Sequence, residues 1–238
     1  MNLFSFQKKL TTTWLGRVVH YEKTIDSTNT WALRELAQSP RGTLFVTDYQ
    51  TTGRGRLTRA WEAPLGKNLL FSFVDDLPVK GPHLSLVTGV ALAEGLGKVE
   101  MQLKWPNDLF YSGKKIGGIL IEARQEKAVV GVGINVNMSV DDFSPEIREK
   151  SFSLKEIIGQ DLSLEDLLIS LLCSYEQARS LYDREGLAPF IKKWNQKNIL
   201  KVITNETFSN AEVLGLDEDG FLLVKERGVV HKIIVGDT

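Results

Sequence analysis

The chain has 238 residues, and its 29 Lys and Arg against 30 Asp and Glu give a formal net charge of −1. Hydrophobic residues make up 42% and charged residues 25%, which is typical of a folded globular protein and excludes a disordered chain. The balanced charge argues against nucleic-acid binding through an excess of positive side chains. The single cysteine excludes an intramolecular disulfide. No apolar run is long enough to span a bilayer and no signal-peptide pattern is present, so we expect a cytoplasmic protein.

Up to about residue 137 the sequence predicts a mixture of helices and strands. Asp26-Ser27-Thr28-Asn29 offers short polar side chains that can cap a helix, and apolar residues then recur at helical spacing until Pro40. Runs rich in β-branched and apolar residues predict strands. In chain order we expect strands at 43–47 and 68–74, a buried helix at 83–97, a strand at 101–104, and a hairpin of strands 115–122 and 128–134.

The second half predicts helices followed by a small all-β unit. We expect residues 139–152 to form a loop because they are polar and include Pro145. Ser153 and Ser163 each precede an acidic residue by three positions, which is typical of a helix start. Short β-rich runs then follow at 199–204, 211–216, 221–226 and 229–235. The prediction is an α+β fold, with a mixed β-sheet flanked by helices in residues 1–194 and a small C-terminal β-barrel in residues 195–238.

The least ordinary stretch runs from Gly53 to Trp61 and reads Gly-Arg-Gly-Arg-Leu-Thr-Arg-Ala-Trp. Glycines let backbone N–H groups approach a ligand, and arginines bind carboxylate or phosphate oxygens through paired hydrogen bonds. The alternative is an ordinary solvated basic loop. Thr58 stands where a dinucleotide-binding motif has its third glycine, and the stretch does not open a helix, so that fold is disfavoured. A P-loop motif is absent from the sequence, which excludes a P-loop enzyme.

Three further stretches carry polar residues or glycines beside predicted strands. Residues 104–108 form either an ordinary turn or a set of oxygen ligands for a metal-bound phosphate. Glycines inside a strand mark a bulge or a ligand that lies against the backbone. The combination predicts a slot for a flat apolar ligand with anionic groups at one end, which indicates acyl adenylation. The residues concerned are Lys104-Trp105-Pro106-Asn107-Asp108, Lys115 with Gly117 and Gly118, and Gly131 and Gly133 ahead of Asn135.

These motifs, in their order and intervals, resemble those of the biotin protein ligase family. The resemblance covers residues 18–137, and the predicted C-terminal barrel fits the same family. It implies the fold shared by class II synthetases and the biotin and lipoate ligases, although lipoate ligases lack the Gly-Arg-Gly-Arg run. The matching motifs are Asp26-Ser27-Thr28-Asn29, Gly53-Arg54-Gly55-Arg56-x-x-Arg59-x-Trp61, Lys104-Trp105-Pro106-Asn107-Asp108, Lys115-x-Gly117-Gly118-Ile119-Leu120-x-Glu122 and Gly131-x-Gly133-Ile134-Asn135.

The sequence departs from the family pattern in two places. Thr58 stands where the arginine-rich loop usually has glycine, which puts the closing rate of that loop in doubt. Some family members carry an N-terminal DNA-binding domain, whereas here the catalytic pattern begins near residue 18. We therefore expect the monofunctional kind, without repressor activity.

The resemblance implies a reaction in two steps. Biotin and MgATP give biotinyl-5′-AMP and pyrophosphate, and a lysine of a biotin carboxyl carrier protein, such as the acetyl-CoA carboxylase subunit, then displaces AMP. The implied catalytic residues are Arg56, Lys115, Asp108 and Lys104, with Asp108 also the candidate ligand for Mg²⁺. The implied biotin-binding residues are Ser27, Thr28, Asn29, Gln50, Gly53, Arg54, Gly55, Arg56, Lys115, Gly117 and Gly118. The implied residues around ATP are Arg59, Trp61, Asn107, Gly131, Gly133 and Asn135.

Several alternatives stay open. Residues 27–29 could serve only as a helix cap, Trp61 could be a core residue, and Asp108 could assist the incoming lysine instead of binding metal. At the level of function, the alternatives are a lipoate or octanoate ligase or transferase of the same fold, and a non-catalytic biotin-binding protein. Neither nucleic acid nor a membrane is expected as a partner, and both a monomer and a homodimer are compatible. We expect residues 53–60 and 139–152 to be mobile without ligand and ordered with it.

Overall fold

The computed structural model describes residues 3–57, 59–77, 82–97 and 99–234, which form a large mixed sheet, flanking helices and a second, small sheet. No helix in these ranges is long and apolar enough to cross a membrane. The helices are α1 (Leu3–Lys9), α2 (Thr28–Glu35), α3 (His83–Gly95), α4 (Pro145–Arg148), α5 (Leu154–Ile158), α6 (Leu164–Glu185) and α7 (Ala188–Lys197). The large sheet contains β1 (Val19–Ile25), β2 (Leu44–Gln50), β3 (Leu69–Asp76), β4 (Gln102–Lys104), β5 (Asp108–Tyr111), β6 (Lys114–Arg124) and β7 (Lys127–Ile134). The small sheet contains β8 (Val202–Ile203), β9 (Ala211–Leu216), β10 (Leu222–Glu226) and β11 (Val229–Ile233).

The large sheet has the strand order β1-β2-β3-β7-β6-β5-β4. β1 and β2 run parallel and are connected through α2, because parallel neighbours need a crossover. The other neighbouring pairs are antiparallel, and the predicted hairpin of β6 and β7 is present with residues 117–124 paired to 127–134. The predicted α+β fold with a mixed sheet flanked by helices is confirmed.

The central strand β3 is buried on both faces because helices cover both sides of the sheet. Leu69, Phe71 and Phe73 belong to the main core, which also contains the apolar residues of α3 and α6. Val74 belongs instead to a smaller core with α2. Since side chains alternate along a strand, the wholly buried Ser72 shares the α2 face of the sheet with Val74. The α2 face of β3 therefore carries an apolar core residue, Val74, next to a buried polar residue, Ser72.

The main helices form where the sequence predicts them. α3 carries buried residues all round its axis, from Leu84 to Ala93, because it lies between the sheet and α6. Ser163 caps α6 by accepting a hydrogen bond from the Asp166 N–H at 3.2 Å. Ser153 and Glu156 form the predicted capping box at the start of α5. The capping motifs therefore predict the helix starts correctly.

The predicted loop at 139–152 is wrong in its detail. A turn of 3₁₀ helix spans Val140–Asp142, and α4 lies within the same segment. Ser139 and Asp142 form a capping box, which supplies partners for the backbone groups of that turn. The polar residues that predicted a loop therefore include the N-cap residues of two short helices, Ser139 and Ser144.

The predicted C-terminal β-barrel is also wrong. The described strands form an open four-stranded antiparallel sheet in the order β11-β10-β9-β8. β8 has only 2 residues and pairs with β9 alone in the part of the chain that the structure describes, so the sheet does not close on β11. Four strands with such a short edge strand cannot complete a barrel.

The small sheet contacts the large one beside the turn between β4 and β5. Trp105 donates its indole N–H to the backbone oxygen of Gly220 at 3.2 Å. Gly220 has φ +81°, and a Cβ there would lie 2.6 Å from Leu86 Cδ1, so this position requires glycine. The Ile199 N–H also bonds to the Leu103 oxygen at 3.0 Å, beside the edge strand β4. The turn between β4 and β5 is therefore held from the side of the small sheet.

Candidate active site

A cavity of about 250 Å³ lies on the α2 face of the large sheet. Its floor is formed by β6 and β7, where strand register places Gly118 beside Gly133 and Leu120 beside Gly131. The volume is close to the lower end of the range for small-molecule sites. The polar lining residues include Ser27, Thr28, Asn29, Gln50, Arg54, Arg56, Arg59, Glu62, Asn107, Asp108, Lys115, Asn135 and Ser151, and the rest include Gly55, Ala60, Trp61, Gly118, Ile119, Leu120, Gly131, Val132, Gly133 and Ile147.

One end of the cavity is built by the start of α2. Ser27 is the N-cap residue of α2, but its hydroxyl makes no capping hydrogen bond. Helix capping therefore does not explain this buried hydroxyl. Thr28 donates its N–H to Gln50 Oε1 at 2.8 Å and its hydroxyl to the same oxygen at 3.2 Å. This end thus presents hydroxyl and amide groups, which can both donate and accept hydrogen bonds.

Asn29 is held in a fixed orientation below this end. Its Nδ2 donates to the Leu120 backbone oxygen at 3.2 Å and to Glu122 Oε2 at 2.9 Å, and its Oδ1 accepts from the Ser72 hydroxyl at 2.7 Å. The side chain lies directly over Gly131, where a Cβ would approach Asn29 Cγ to 2.7 Å. Gly131 is therefore glycine because Asn29 occupies the space above it.

Trp61 covers the neighbouring glycine of the floor. A Cβ on Gly133 would lie 2.5 Å from Trp61 Cε2 and 2.8 Å from Nε1. Lys115 Nζ lies 5.7 Å from the centre of the Trp61 ring, close enough for a cation–π contact. The indole Nε1 is buried and has no hydrogen-bond partner among the described residues. Trp61 is consequently a wall of the cavity and not a member of either core.

Positive charge and amide groups gather at the other end of the cavity. Lys115 Nζ and Asp108 Oδ1 form an ion pair at 2.8 Å. Arg56 donates to Asn107 Oδ1 at 3.1 Å, and Asn107 Nδ2 donates to the Ile119 oxygen at 2.7 Å. Two cations therefore face the cavity beside one carboxylate, which favours an anionic ligand group here.

The arginine-rich stretch folds back on itself. The Gly55 N–H bonds to the Arg59 oxygen at 2.8 Å, and the Trp61 N–H bonds to the Gly53 oxygen at 2.9 Å. A Cβ on Gly53 would overlap the Trp61 backbone oxygen, so glycine is required where the two arms approach. Thr58, whose effect on the loop the sequence left in doubt, lies outside the described residues.

The segment after β7 forms the remaining wall. Ile147 and Ser151 line the cavity. The Lys115 N–H bonds to the Lys150 oxygen at 2.8 Å, and the Phe152 N–H bonds to the Lys115 oxygen at 2.9 Å, so the segment continues the edge of β6. Asn135 is buried, and its Nδ2 donates to the Phe152 oxygen at 3.2 Å. The Asp142 carboxylate pairs with Lys67 at 2.6 Å, and this hydrogen bond lowers the pKa of Asp142 to about 2.

Three of the predicted site residues lie away from the cavity wall. Gly117 points to the opposite face of the sheet, where a Cβ would lie 3.3 Å from Ile134 Cγ1. Lys104 ends β4, and Gly53 borders a neighbouring groove instead. The structure brings the other predicted residues together in one cavity.

Sequence reasoning missed several residues at the site, among them Ser72, Glu122, Ile147 and Ser151. Ser72 binds both Thr28 and Asn29 at 2.7 Å. Glu122 lay inside a recognised motif but had no assigned contact. The alternation of β3 could have revealed Ser72, because a serine between buried phenylalanines is a polar group that needs a partner. Ile147 and Ser151 lie in the segment predicted as a loop, which has no periodic pattern.

Comparisons with known proteins identify the family to which the chain belongs. The family model described as "Biotin/lipoate A/B protein ligase family" matches residues 21–139. The bifunctional ligase/repressor BirA of Bacillus spizizenii is 33% identical over 96% of this chain and 75% of its own length. The BirA of Escherichia coli is 29% identical over 90% of this chain and 71% of its own. The structure of the Aquifex aeolicus biotin protein ligase in complex with biotin and ATP is similar with a TM-score of 0.83 and 29% identity, over 92% of this chain and 97% of that one. The chain therefore belongs to the biotin/lipoate A/B protein ligase family, and within it to the biotin protein ligases.

Proposed function

We propose that this chain joins biotin to proteins in two steps. In the first step a biotin carboxylate oxygen attacks the α-phosphorus of ATP, which forms biotinyl-5′-AMP and releases pyrophosphate. In the second step the ε-amine of a lysine on a biotin carrier domain attacks the acyl carbon, loses a proton and releases AMP. The observation that carries the proposal is that one cavity has hydroxyl and amide groups at one end and Lys115 with Arg56 at the other.

The polar end suits the ureido head of biotin. A ureido group has one acceptor oxygen and two N–H donors, so its site needs both kinds of partner. Ser27, Thr28 and Gln50 supply hydroxyl and amide groups within this buried end. The floor of Leu120 and Val132 with its glycines leaves a slot for an apolar ring and chain. We assign the biotin head to this end and its carboxylate to the other.

The charged end suits two anions that must meet. The carboxylate and the α-phosphate repel each other, and a cation between them lowers the cost of bringing them together. Lys115 and Arg56 are assigned this role, because both side chains line the same end of the cavity. Trp61 and Arg59 are assigned to the nucleotide side.

A magnesium ion fits this end through Asp108. Asp108 lines this end of the cavity, where its Oδ1 lies 2.8 Å from Lys115 Nζ, and a carboxylate oxygen is a ligand that Mg²⁺ prefers. The described residues contain no group of three or more His, Cys, Asp or Glu that could hold a metal by itself. Asp108 would therefore hold Mg²⁺ jointly with the ATP phosphates, and the ion would neutralise phosphate charge.

The partner is a protein that carries a biotin-accepting domain. We assign this role to the biotin carboxyl carrier subunit of acetyl-CoA carboxylase, in line with the relative named biotin–[acetyl-CoA-carboxylase] ligase from Paracoccus denitrificans, of which this chain covers 91% at 28% identity. We also propose that residues 1–194 form the catalytic domain and residues 195–238 a separate C-terminal domain.

The deciding experiment is pyrophosphate release from MgATP with biotin, lipoate or octanoate as the acid. We expect release with biotin, and we expect Lys115→Gln to slow it by roughly a hundredfold or more because a preorganised charge is lost. Lys193→Gln is the matched control. Lys193 on α7 pairs with Glu94 on α3 at 2.8 Å, and neither residue lines the cavity. Turnover with lipoate but not with biotin would assign the chain to a lipoate ligase, and binding of biotin without any release would assign it to a non-catalytic module.

A further inference from the structure

Glu122 joins two parts of the cavity, the arginine-rich stretch and the start of α2, through one carboxylate. Its Oε1 accepts from Arg54 Nη2 at 2.9 Å, and its Oε2 accepts from Arg54 Nη1 at 3.3 Å and from Asn29 Nδ2 at 2.9 Å. The side chain of Glu122 is 24% exposed and that of Arg54 is 45% exposed. One carboxylate thus holds the arginine-rich stretch and the floor of the slot at the same time.

We propose that Glu122 is a positioning residue that fastens the first arm of the arginine-rich stretch to β6, and that Arg54 acts in this ion pair instead of binding the ligand's anions. The proposal rests on the proposed function and adds a residue to it. The guanidinium of Arg54 meets the carboxylate with two nitrogens, which is the geometry of a strong charge-assisted pair. An anionic ligand would have to break that pair before Arg54 could bind it. Lys115, whose ion pair with Asp108 joins one nitrogen to one oxygen at 2.8 Å, and Arg56, which donates to the neutral Asn107, carry the positive charge for the anions.

Glu122 also sets the orientation of Asn29. An asparagine amide can point in two directions, and its partners decide which one is adopted. Because Glu122 Oε2 and the Leu120 oxygen both accept, Nδ2 must face them and Oδ1 must face Ser72. Ser72 in turn lies 2.7 Å from the Thr28 hydroxyl. A change at Glu122 therefore reaches the hydroxyl group assigned to the biotin head.

The charges predict how the two residues depend on each other. Removing Arg54 leaves the negative charge of Glu122 unpaired beside the slot. Removing the charge of Glu122 leaves Arg54 with a neutral partner, the Thr30 hydroxyl at 3.3 Å, in place of an anion. Glutamine at position 122 keeps an amide oxygen for Asn29, so the main loss in either single variant is the shared ion pair, and the double variant should be close to the single variants.

The test uses the full chain with the changes Glu122→Gln, Arg54→Gln and both together. Radiolabelled biotinyl-AMP is formed on each enzyme from biotin and MgATP in the presence of pyrophosphatase, and its release is followed after an unlabelled chase. The KM for biotin and kcat are measured by ATP–pyrophosphate exchange, and folding by thermal unfolding. Glu94→Gln, which removes half of an exposed ion pair far from the cavity, is the control.

We expect each single variant to release biotinyl-AMP about tenfold faster, the loss typical of one charge-assisted hydrogen bond. The KM for biotin should rise in parallel while kcat stays near that of the wild type, and the double variant should match the singles. A purely structural role would lower the unfolding temperature without this split between KM and kcat.

Three results would overturn the proposal: wild-type release and KM in Glu122→Gln, a loss of kcat in Arg54→Gln, or a double variant whose release is accelerated by the product of the single effects. If Glu122→Gln does not fold, Arg54→Gln decides alone, because Arg54 is largely exposed. A wild-type enzyme that forms no biotinyl-AMP would refute the proposed function itself, and the proposal for Glu122 with it.

Discussion

Replacing Gly131 by alanine adds one methyl group where the site has no room. The methyl would overlap Asn29 Oδ1 and would lie 2.7 Å from Cγ and 3.1 Å from Nδ2. Asn29 is only 3% exposed, and its amide is held by Ser72, the Leu120 oxygen and Glu122. Asn29 therefore cannot move aside without breaking at least one of these hydrogen bonds.

The cost follows from two terms. Overpacking a closely packed site costs about 1–3 kcal/mol, and losing a hydrogen bond to a charged group such as Glu122 costs about 1.5–3 kcal/mol. We expect Gly131→Ala to lower the free energy of unfolding by roughly 1–3 kcal/mol if only overpacking applies, and by roughly 2.5–6 kcal/mol if the hydrogen bond to Glu122 is also lost. Biotin should also bind more weakly, because Asn29 adjoins Thr28 at the polar end of the slot. Urea unfolding and titration calorimetry with biotin measure the two effects separately.

Gly89→Ala is the matched control in a helix interior. A Cβ at Gly89 would meet nothing closer than Leu103 Cδ2 at 3.6 Å, an ordinary contact. Alanine there should be neutral or should stabilise the protein by up to about 1 kcal/mol. Adding Asn29→Ala to Gly131→Ala should restore part of the lost stability, because the overlapping side chain is removed. A Gly131→Ala protein with wild-type stability and biotin affinity would show that Asn29 is not held as described.

Three further predictions concern the arginine-rich stretch and the segment after β7. Arg56→Gly should release free biotinyl-AMP, because a cation facing the ligand's anions is lost, and a chase experiment that finds wild-type retention would contradict this role. Biotinyl-AMP should slow hydrogen exchange in residues 53–57 and 139–152, and mass spectrometry that finds both segments unchanged would contradict their ordering by ligand. The pKa of Asp142 is lowered to about 2 from an ordinary 3.8 by Lys67 and Ser139. A lowered pKa stabilises the folded state at pH values above the unfolded pKa, so the stability difference between wild type and Asp142→Asn should be constant above about pH 5 and shrink as the pH falls through 3.8 towards 2. Urea titrations at several pH values measure this difference in the free energy of unfolding. A difference that grows as the pH falls would contradict the prediction.

The elements with a strong apolar pattern were predictable from the sequence. β3 and the β6–β7 hairpin are runs of apolar residues bounded by turns, and α3 is apolar on all sides. β1 was missed because it is the edge of the sheet and most of its residues, such as Glu22 and Lys23, are exposed. Its alternation is incomplete, because Val19, Tyr21 and Ile25 are half-buried whereas Lys23, on the same side of the strand, is exposed.

The site shows the same division. The motifs gathered Ser27, Gln50, Arg56 and Lys115 into one cavity, as the resemblance implied. They could not distinguish Gly117 from Gly118, because neighbouring residues of a strand point to opposite faces and only the pairing register decides between them. Contacts between distant segments, such as that of Arg54 with Glu122, depend on how the sheet and the arginine-rich stretch meet in space. No local spacing encodes them.

The bond from Trp105 to Gly220 gives the small sheet a part in the geometry of the cavity. Trp105, the donor of this bond, lies in the turn between β4 and β5. The same turn carries Asn107 and Asp108, which line the cavity. The small sheet contributes no lining residue to the cavity in the part of the chain that the structure describes. It supports the turn from outside, and so limits how far the Asp108 carboxylate and the Asn107 amide can move away from Arg56 and Lys115. A change in the 217–220 turn is therefore expected to shift Asn107 and Asp108, although that turn does not line the cavity.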